Sequence, residues 1–163
     1  LVGEMFEQGE YFVGDLIFAG ELLTDAINLL KPVLGSGSSV TVGTIVLGTV
    51  SGDLHDIGKN IVINFLRSHG FKVIDLGVDV PAENFVKMVK KSGTKILGLS
   101  ALLNTTYPEM KNVIDAIKDA GLRDQVKIII GGTIMSESVR VFTGADAYAT
   151  DAISGKSYCK SIY

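Results

Sequence analysis

VTVGTIVLGTV (residues 40–50), running directly into SGDLHDIGKNIV (51–62), is the stretch whose reading decides the fold. Residues 40–50 carry no charge and are rich in Val, Ile and Thr, which predicts a buried strand. The chain then turns through Gly, Asp and His. From 58 to 69 apolar residues recur every three or four positions, the period of a helix, and His69-Gly70 reads as its stop. The same strand–loop–helix pattern repeats outward. Strands are predicted at 71–76, 95–100, 126–130 and 145–149. Helices are predicted after Pro81, which suits a first helical turn, and over 107–120, 136–142 and 151–160. Such alternation implies parallel strands joined by right-handed crossovers, with helices on both faces.

The expected fold class is therefore α/β, a doubly wound five-stranded parallel sheet of the Rossmann or flavodoxin kind. Ahead of it, residues 4–34 read as helix, because Phe12, Leu16, Ala19, Leu23, Ala26, Ile27 and Leu30 recur at helical steps. Gly9 separates a short leading helix and Pro32 ends the main one. GSGSS at 35–39 is small and uncharged, a linker by composition. The expected organisation is a partial helical domain at 1–34, a linker at 35–39 and the α/β domain at 40–163.

Of the 163 residues, 47% are hydrophobic and 20% charged, which excludes a disordered chain. Lys and Arg number 15 against 18 Asp and Glu, a net charge of -3, so no basic stripe recommends nucleic acid as a partner. The lone Cys159 excludes an internal disulfide and a cysteine zinc cage, and a reducing, cytoplasmic setting is the expectation. The uncharged run at 32–52 is broken by Ser36, Ser38, Ser39, Thr41, Thr44 and Thr49, so it does not read as a membrane span. Glu4, Glu7 and Glu10 stand where a leader peptide would be basic. The first residue is Leu1, so the chain is expected to be a piece of something longer.

In doubly wound sheets ligands bind beyond the carboxyl ends of the strands. That directs attention to loops 49–58, 101–106 and 131–136. In the first, His55 lies two residues from Asp53. An imidazole so placed can ligate a metal through one nitrogen while the other donates to the carboxylate. The plainer reading is a solvated loop histidine beside an N-cap aspartate. A zinc site lacks further ligands, because His69 lies far along a helix. Ser100 or Thr106 could serve as a nucleophile for His55, but no GxSxG elbow is present. Neither GxGxxG nor GxxxxGK[ST] occurs, so Lys59 is not a phosphate-loop lysine. A phospho-receiver domain would carry aspartate where this chain has Ser100. Gly131-Gly132 is either a tight turn or room for a flat ring beside the sheet.

Taken together, Asp53-Leu54-His55-Asp56-Ile57-Gly58, Ser100-Ala101-Leu102 and Gly131-Gly132 resemble the DxHxxG, SxL and GG signature of cobalamin-binding corrinoid proteins. GDLHDIGKNIV (52–62) and VIDLGVDVPAE (73–83) are similar to the methyl-transfer branch of that family. This branch holds methionine synthase and the small corrinoid proteins of methylamine, methanol and betaine metabolism. GADAYATDA (144–152) resembles the family's closing segment, and residues 6–30 the last part of its helical cap.

The resemblance implies a corrinoid methyl carrier, a subunit of a methyltransferase system more than a complete enzyme. Its cofactor would be cobalamin, methylcobalamin when loaded, bound with its own base off cobalt. His55 would be the lower ligand, Asp53 would accept a hydrogen bond from it, and Thr106 would extend that relay. Gly52, Leu54, Asp56, Ile57, Gly58 and Leu102 complete the motif around the cofactor. Ser100 and Asn104 would lie beside the detached base, with Asn104 where the family usually has threonine. Gly131 and Gly132 would open the slot for the nucleotide, and Tyr148, Ala149, Asp151 and Ala152 would border it. Phe6, Val13 and Leu16 would cap the upper face of the ring. Implied partners are a substrate-specific methyltransferase subunit, an acceptor methyltransferase and a reductive activase. A cobalamin-responsive sensor and the binding subunit of a mutase are the alternative readings.

Overall fold

A computed structural model describes residues 5, 8–30 and 41–163. The chain divides into two compact units, Leu1–Ser39 and Val40–Tyr163. In the first, residues 8–10 turn, and helix α1 (Val13–Leu30) follows, with the Asp15 carboxylate accepting the Phe12 N–H at 2.8 Å. Phe12 therefore precedes the helix instead of joining its apolar face, and it is exposed. Phe6 and the expected linker at 35–39 lie outside the described residues.

The second unit is a parallel sheet of β1 (Gly43–Thr49), β2 (Phe71–Asp75), β3 (Ile96–Ser100), β4 (Lys127–Gly131) and β5 (Ala147–Ala149). Its strand order is β2-β1-β3-β4-β5, the flavodoxin-like order, with the reversal between β1 and β3. The crossovers are α2 (Ile57–Ser68), α3 (Ala82–Ser92), α4 (Tyr107–Asp119) and α5 (Glu137–Thr143), and α6 (Ala152–Ile162) follows β5. The expected elements are present with ends moved by one to three residues. Pro81 stands at the N-cap of α3, one place before the first turn. The last helix forms despite its Ser- and Gly-bearing sequence because the Asp151 carboxylate accepts the Ser154 N–H at 2.8 Å, and Cys159 packs into the core.

Strand alternation divides the core into two layers. Val46, Leu97, Leu99, Ile128 and Ile130 face α3, α4 and α5, around Phe85, Met110 and Ile117. Ile45, Leu47, Ile96, Ile129 and Ala149 face α2 and α6, around Ile63, Leu66 and Cys159. The register matters on the second face. Thr49 pairs with Ser100, Ser100 with Gly131, and Gly131 with Ala149, so small residues line up across the strand ends. One row below, Leu47 pairs with Gly98 and Gly98 with Ile129. Among the described residues no helix is long and apolar enough to cross a membrane.

Candidate functional site

The strand-end row of small residues opens a cavity of about 300 Å³ between the sheet and helices α2 and α6. That lies at the small end of the range for ligand pockets. His55, Gly58, Ser100 and Leu102 line its mouth. Gly131, Gly132, Ala149, Asp151 and Ala152 line the opposite wall. Three loops distant in sequence thus converge on one slot at the switch point of the sheet.

Asp53 sets the chemistry. Its side chain is 0% exposed, yet every bond it makes suits an anion. One oxygen accepts the His55 N–H at 2.9 Å and lies 2.7 Å from His55 Nδ1; the other accepts the Leu102 and Leu103 N–H groups at 2.7 and 3.1 Å. Burial alone pushes this carboxyl up. The N–H groups of Leu102, His55 and Leu103 and the His55 ring outweigh burial and hold it below its usual range. An ionised Asp53 can only accept, so Nδ1 of His55 carries the ring proton and Nε2 keeps its lone pair. The His55 side chain is 52% exposed, so that lone pair is available to a ligand.

The loop is braced from two sides. The Thr49 hydroxyl donates to the His55 carbonyl at 3.1 Å. Asp79 adopts φ 51°, unusual for a residue with a side chain. Its carboxylate accepts the Gly52 N–H at 2.7 Å and the Ser51 hydroxyl at 3.1 Å, while its N–H reaches the Asp53 carbonyl at 3.0 Å. Gly52 itself turns at φ 79°, where a Cβ would be strained.

Two expected placements differ. Thr106 does not extend the relay: its hydroxyl donates to the Leu103 carbonyl at 2.7 Å, and the amides of Leu102 and Leu103 occupy the outer oxygen of Asp53 instead. Thr106 thus acts on Asp53 only through the loop it pins. Tyr148 is not among the lining residues, because alternation along β5 turns it away from the face that Ala149 presents. Asp56 is the N-cap residue of α2, but its carboxylate accepts the Asn60 side chain at 3.1 Å and makes no capping bond to the backbone. Leu54 and Ile57 are exposed beside His55, and Asn104 is exposed in the turn after β3.

Sequence reasoning passed over several lining residues. Gly98 sits in mid-strand, and an isolated glycine in a strand is itself a signal of close approach by a ligand or another chain segment. Lys59 also lines the slot. Its side chain is 2% exposed and its ammonium is held by both Asp75 oxygens at 2.8 and 2.9 Å and by Asn60 at 3.0 Å. Cys159 lies at the bottom, where burial pushes its thiol up to about 11.

The slot stays open for a reason visible in the backbone. A Cβ on Gly131 would meet only backbone oxygens at 3.9 and 4.0 Å, so a side chain there would occupy cavity space. At Gly132, φ is 144° and a Cβ would collide with the Ala101 carbonyl oxygen, so this turn requires glycine. Among the described residues no three His, Cys, Asp or Glu side chains gather to hold a metal. A single exposed imidazole suits a metal whose other positions a macrocycle already fills.

The Asp53 anion also has a stability signature. A carboxyl lower in the folded than in the unfolded state adds stability in full above the ordinary aspartate range, near ~3.9, and loses it as pH falls through the folded value. The urea midpoint is expected to fall as the protein is acidified below about pH 4. Asp146, held low against burial by Arg123 and the Ile128 N–H, shares this behaviour. An Asp53→Asn variant should therefore show a shallower acid slope, not a flat one. An identical slope in both proteins would contradict the assignment.

Residues 43–156 match the family described as B12 binding domain. Dimethylamine corrinoid protein 3 of Methanosarcina mazei is 43% identical over 162 residues, covering 99% of this chain and 97% of that protein. A solved cobalamin-binding protein from Desulfitobacterium hafniense DCB-2 is 46% identical, with TM-score 0.74 over 99% of this chain and 76% of the other. A chain of the methanol:cobalamin methyltransferase complex from Methanosarcina barkeri is 30% identical, with TM-score 0.73 over 99% and 61%.

Proposed function

Because this chain belongs to the B12-binding corrinoid proteins, we propose that it is a methyl carrier that holds cobalamin base-off through His55 and serves partner methyltransferases. Cobalamin is its cofactor. The observation that carries the finer reading is the buried Asp53 anion, which leaves the exposed His55 Nε2 free at the mouth of a slot lined with small residues.

When bound, the corrinoid supplies a cobalt centre able to take up and release a methyl group. The protein's own contribution is positioning and proton placement. Asp53, anchored by Leu102 and Leu103, keeps the ring proton on Nδ1 and fixes the direction of Nε2. Ser100 offers a hydroxyl at the slot mouth that has no partner among the described residues. Gly131 and Ala149 leave space for the nucleotide arm, while the room beside Gly98 is taken by the Leu47 side chain. Leu54, Ile57, Leu102 and Leu103 are exposed large apolar residues around His55 and form a collar that a flat ring would cover, keeping water from Nε2. Phe6, Val13 and Leu16 keep the cap role that the resemblance assigns, and with it residues 1–34 the role of a partial cap. The partners in this reading are a substrate-specific methyltransferase, an acceptor methyltransferase and a reductive activase. The relative in a methanol:cobalamin methyltransferase complex supports the first of these.

The test loads the protein with cobalamin and records the electron paramagnetic resonance spectrum of the reduced, divalent cobalt. Labelling the protein with ¹⁵N-histidine should change the nitrogen hyperfine splitting. A spectrum blind to the label would refute His55 ligation. Gly131→Phe should fill the slot and lower corrinoid affinity by about 100-fold, with little change in the apo-protein's melting temperature. Undiminished binding would place the nucleotide arm elsewhere. Methyl transfer itself is checked with the loaded protein, a methylamine and a methylamine methyltransferase: methyl appearing on the bound corrinoid supports the carrier reading, and none appearing counts against it.

A further inference from the structure

We propose that the buried floor of the slot selects among corrinoids by their detached base, admitting benzimidazole- or phenol-type rings and disfavouring purines that carry an amine. The inference rests on reading the slot as the nucleotide site and extends it to ligand choice.

The slot is deep. It runs from Ser100 at the strand ends down to Ile45, which lies four residues before the end of β1, or about 13 Å along the strand. Its floor is formed by Ile45, Leu47, Leu66, Ile129 and Cys159, all buried. The exposed rim instead carries Thr133, Thr150 and Asp151. A nucleotide arm placed here keeps its phosphate and ribose at the polar rim and sends its ring to the floor.

That floor has no polar group to spare. Among the described residues no buried side-chain nitrogen or oxygen lacks a partner. The Lys59 ammonium is occupied by Asp75 and Asn60. The thiol of Cys159 is neutral and a weak hydrogen-bonding group. The strand backbones spend their N–H and C=O groups on the sheet ladder. The hydroxyls of the slot, on Ser100, Thr133 and Thr150, all lie at its upper end.

A benzimidazole joined to its ribose has one free ring nitrogen. A phenol-type ring has none to satisfy. An adenine has three free ring nitrogens and an amine, and most of these would be buried unpaired. Each unpaired group weakens binding severalfold or more, and the benzimidazole incurs one such loss where adenine incurs several.

The experiment measures equilibrium binding of the full chain to cobalamin, to its adenine-base analogue and to cobinamide, which lacks the nucleotide arm. Cobalamin should bind at least about tenfold more tightly than either of the others. Cys159→Ser places a hydroxyl in the floor and should reduce the cobalamin-to-adenine ratio at least about threefold. Comparing that ratio between proteins cancels the cost of detaching each internal base. Cobinamide binding as tightly as cobalamin would refute the slot reading itself, and this proposal with it. Cobinamide binding weakly while the two complete corrinoids bind alike would overturn the selectivity alone. So would a ratio that Cys159→Ser does not move.

Discussion

A His55→Ala variant is expected to fold as the parent does and to lose most of its hold on the corrinoid. The side chain is half exposed and packs on little, so the melting temperature should move by no more than about 2 °C. Ligand loss is a different matter. Even the group behind a metal ligand is worth roughly 10–100-fold in metal affinity, so removing the ligand should cost at least about 100-fold. Desalting after incubation with hydroxocobalamin, followed by an absorption spectrum, reads the outcome. Equal retention and an identical spectrum in parent and variant would remove His55 from the coordination sphere and with it the central claim.

Asp53 should behave in the opposite way, because it is buried. Asp53→Ala removes an acceptor that four N–H groups share, leaving the Leu102 and Leu103 amides without their partner. Charged hydrogen bonds of this kind suggest a loss of about 2–4 kcal/mol, or a melting temperature lower by roughly 5–15 °C. Asp53→Asn separates structure from chemistry. Its carbonyl can still accept from Leu102 and Leu103, so part of the stability should return, while the His55 backbone N–H loses its acceptor. Its amide, however, presents N–H to His55 Nδ1 and shifts the ring proton onto Nε2, the atom needed for cobalt. Corrinoid affinity should then fall about 10–100-fold in a protein that melts between the Asp53→Ala variant and the parent. An asparagine variant with full affinity would show that the tautomer of His55 is not what Asp53 controls.

The contrast between these two residues shows how far the linear chain can be read. His55 and Asp53 were legible because both lie within one short run that matches the family motif, although the loop by itself also allowed a solvated histidine beside an N-cap aspartate. The other half of the Asp53 site was not legible. Leu102 and Leu103 contribute only backbone N–H groups, which carry no sequence signal, and they reach Asp53 across about 50 residues of chain. Thr106 was a reasonable candidate by residue type, but a hydroxyl can be satisfied locally. Here the Leu103 carbonyl, three residues back, claimed it. Tyr148 was misplaced by one step of strand phase, which in a pleated sheet reverses the face.

The alternation of strand and helix, the strand-end loops and the order of the three motifs all follow from local rules of periodicity and turn chemistry, so the sequence alone determined the α/β class and the run that carries His55. The slot, its apolar floor and the saturation of Asp53 came only with the tertiary structure. Those depend on cross-strand register, which sets Ser100 beside Gly131 and Gly131 beside Ala149. Register is a relation between segments far apart in the chain. No local pattern encodes it, because it is settled when two layers of helices close on the sheet.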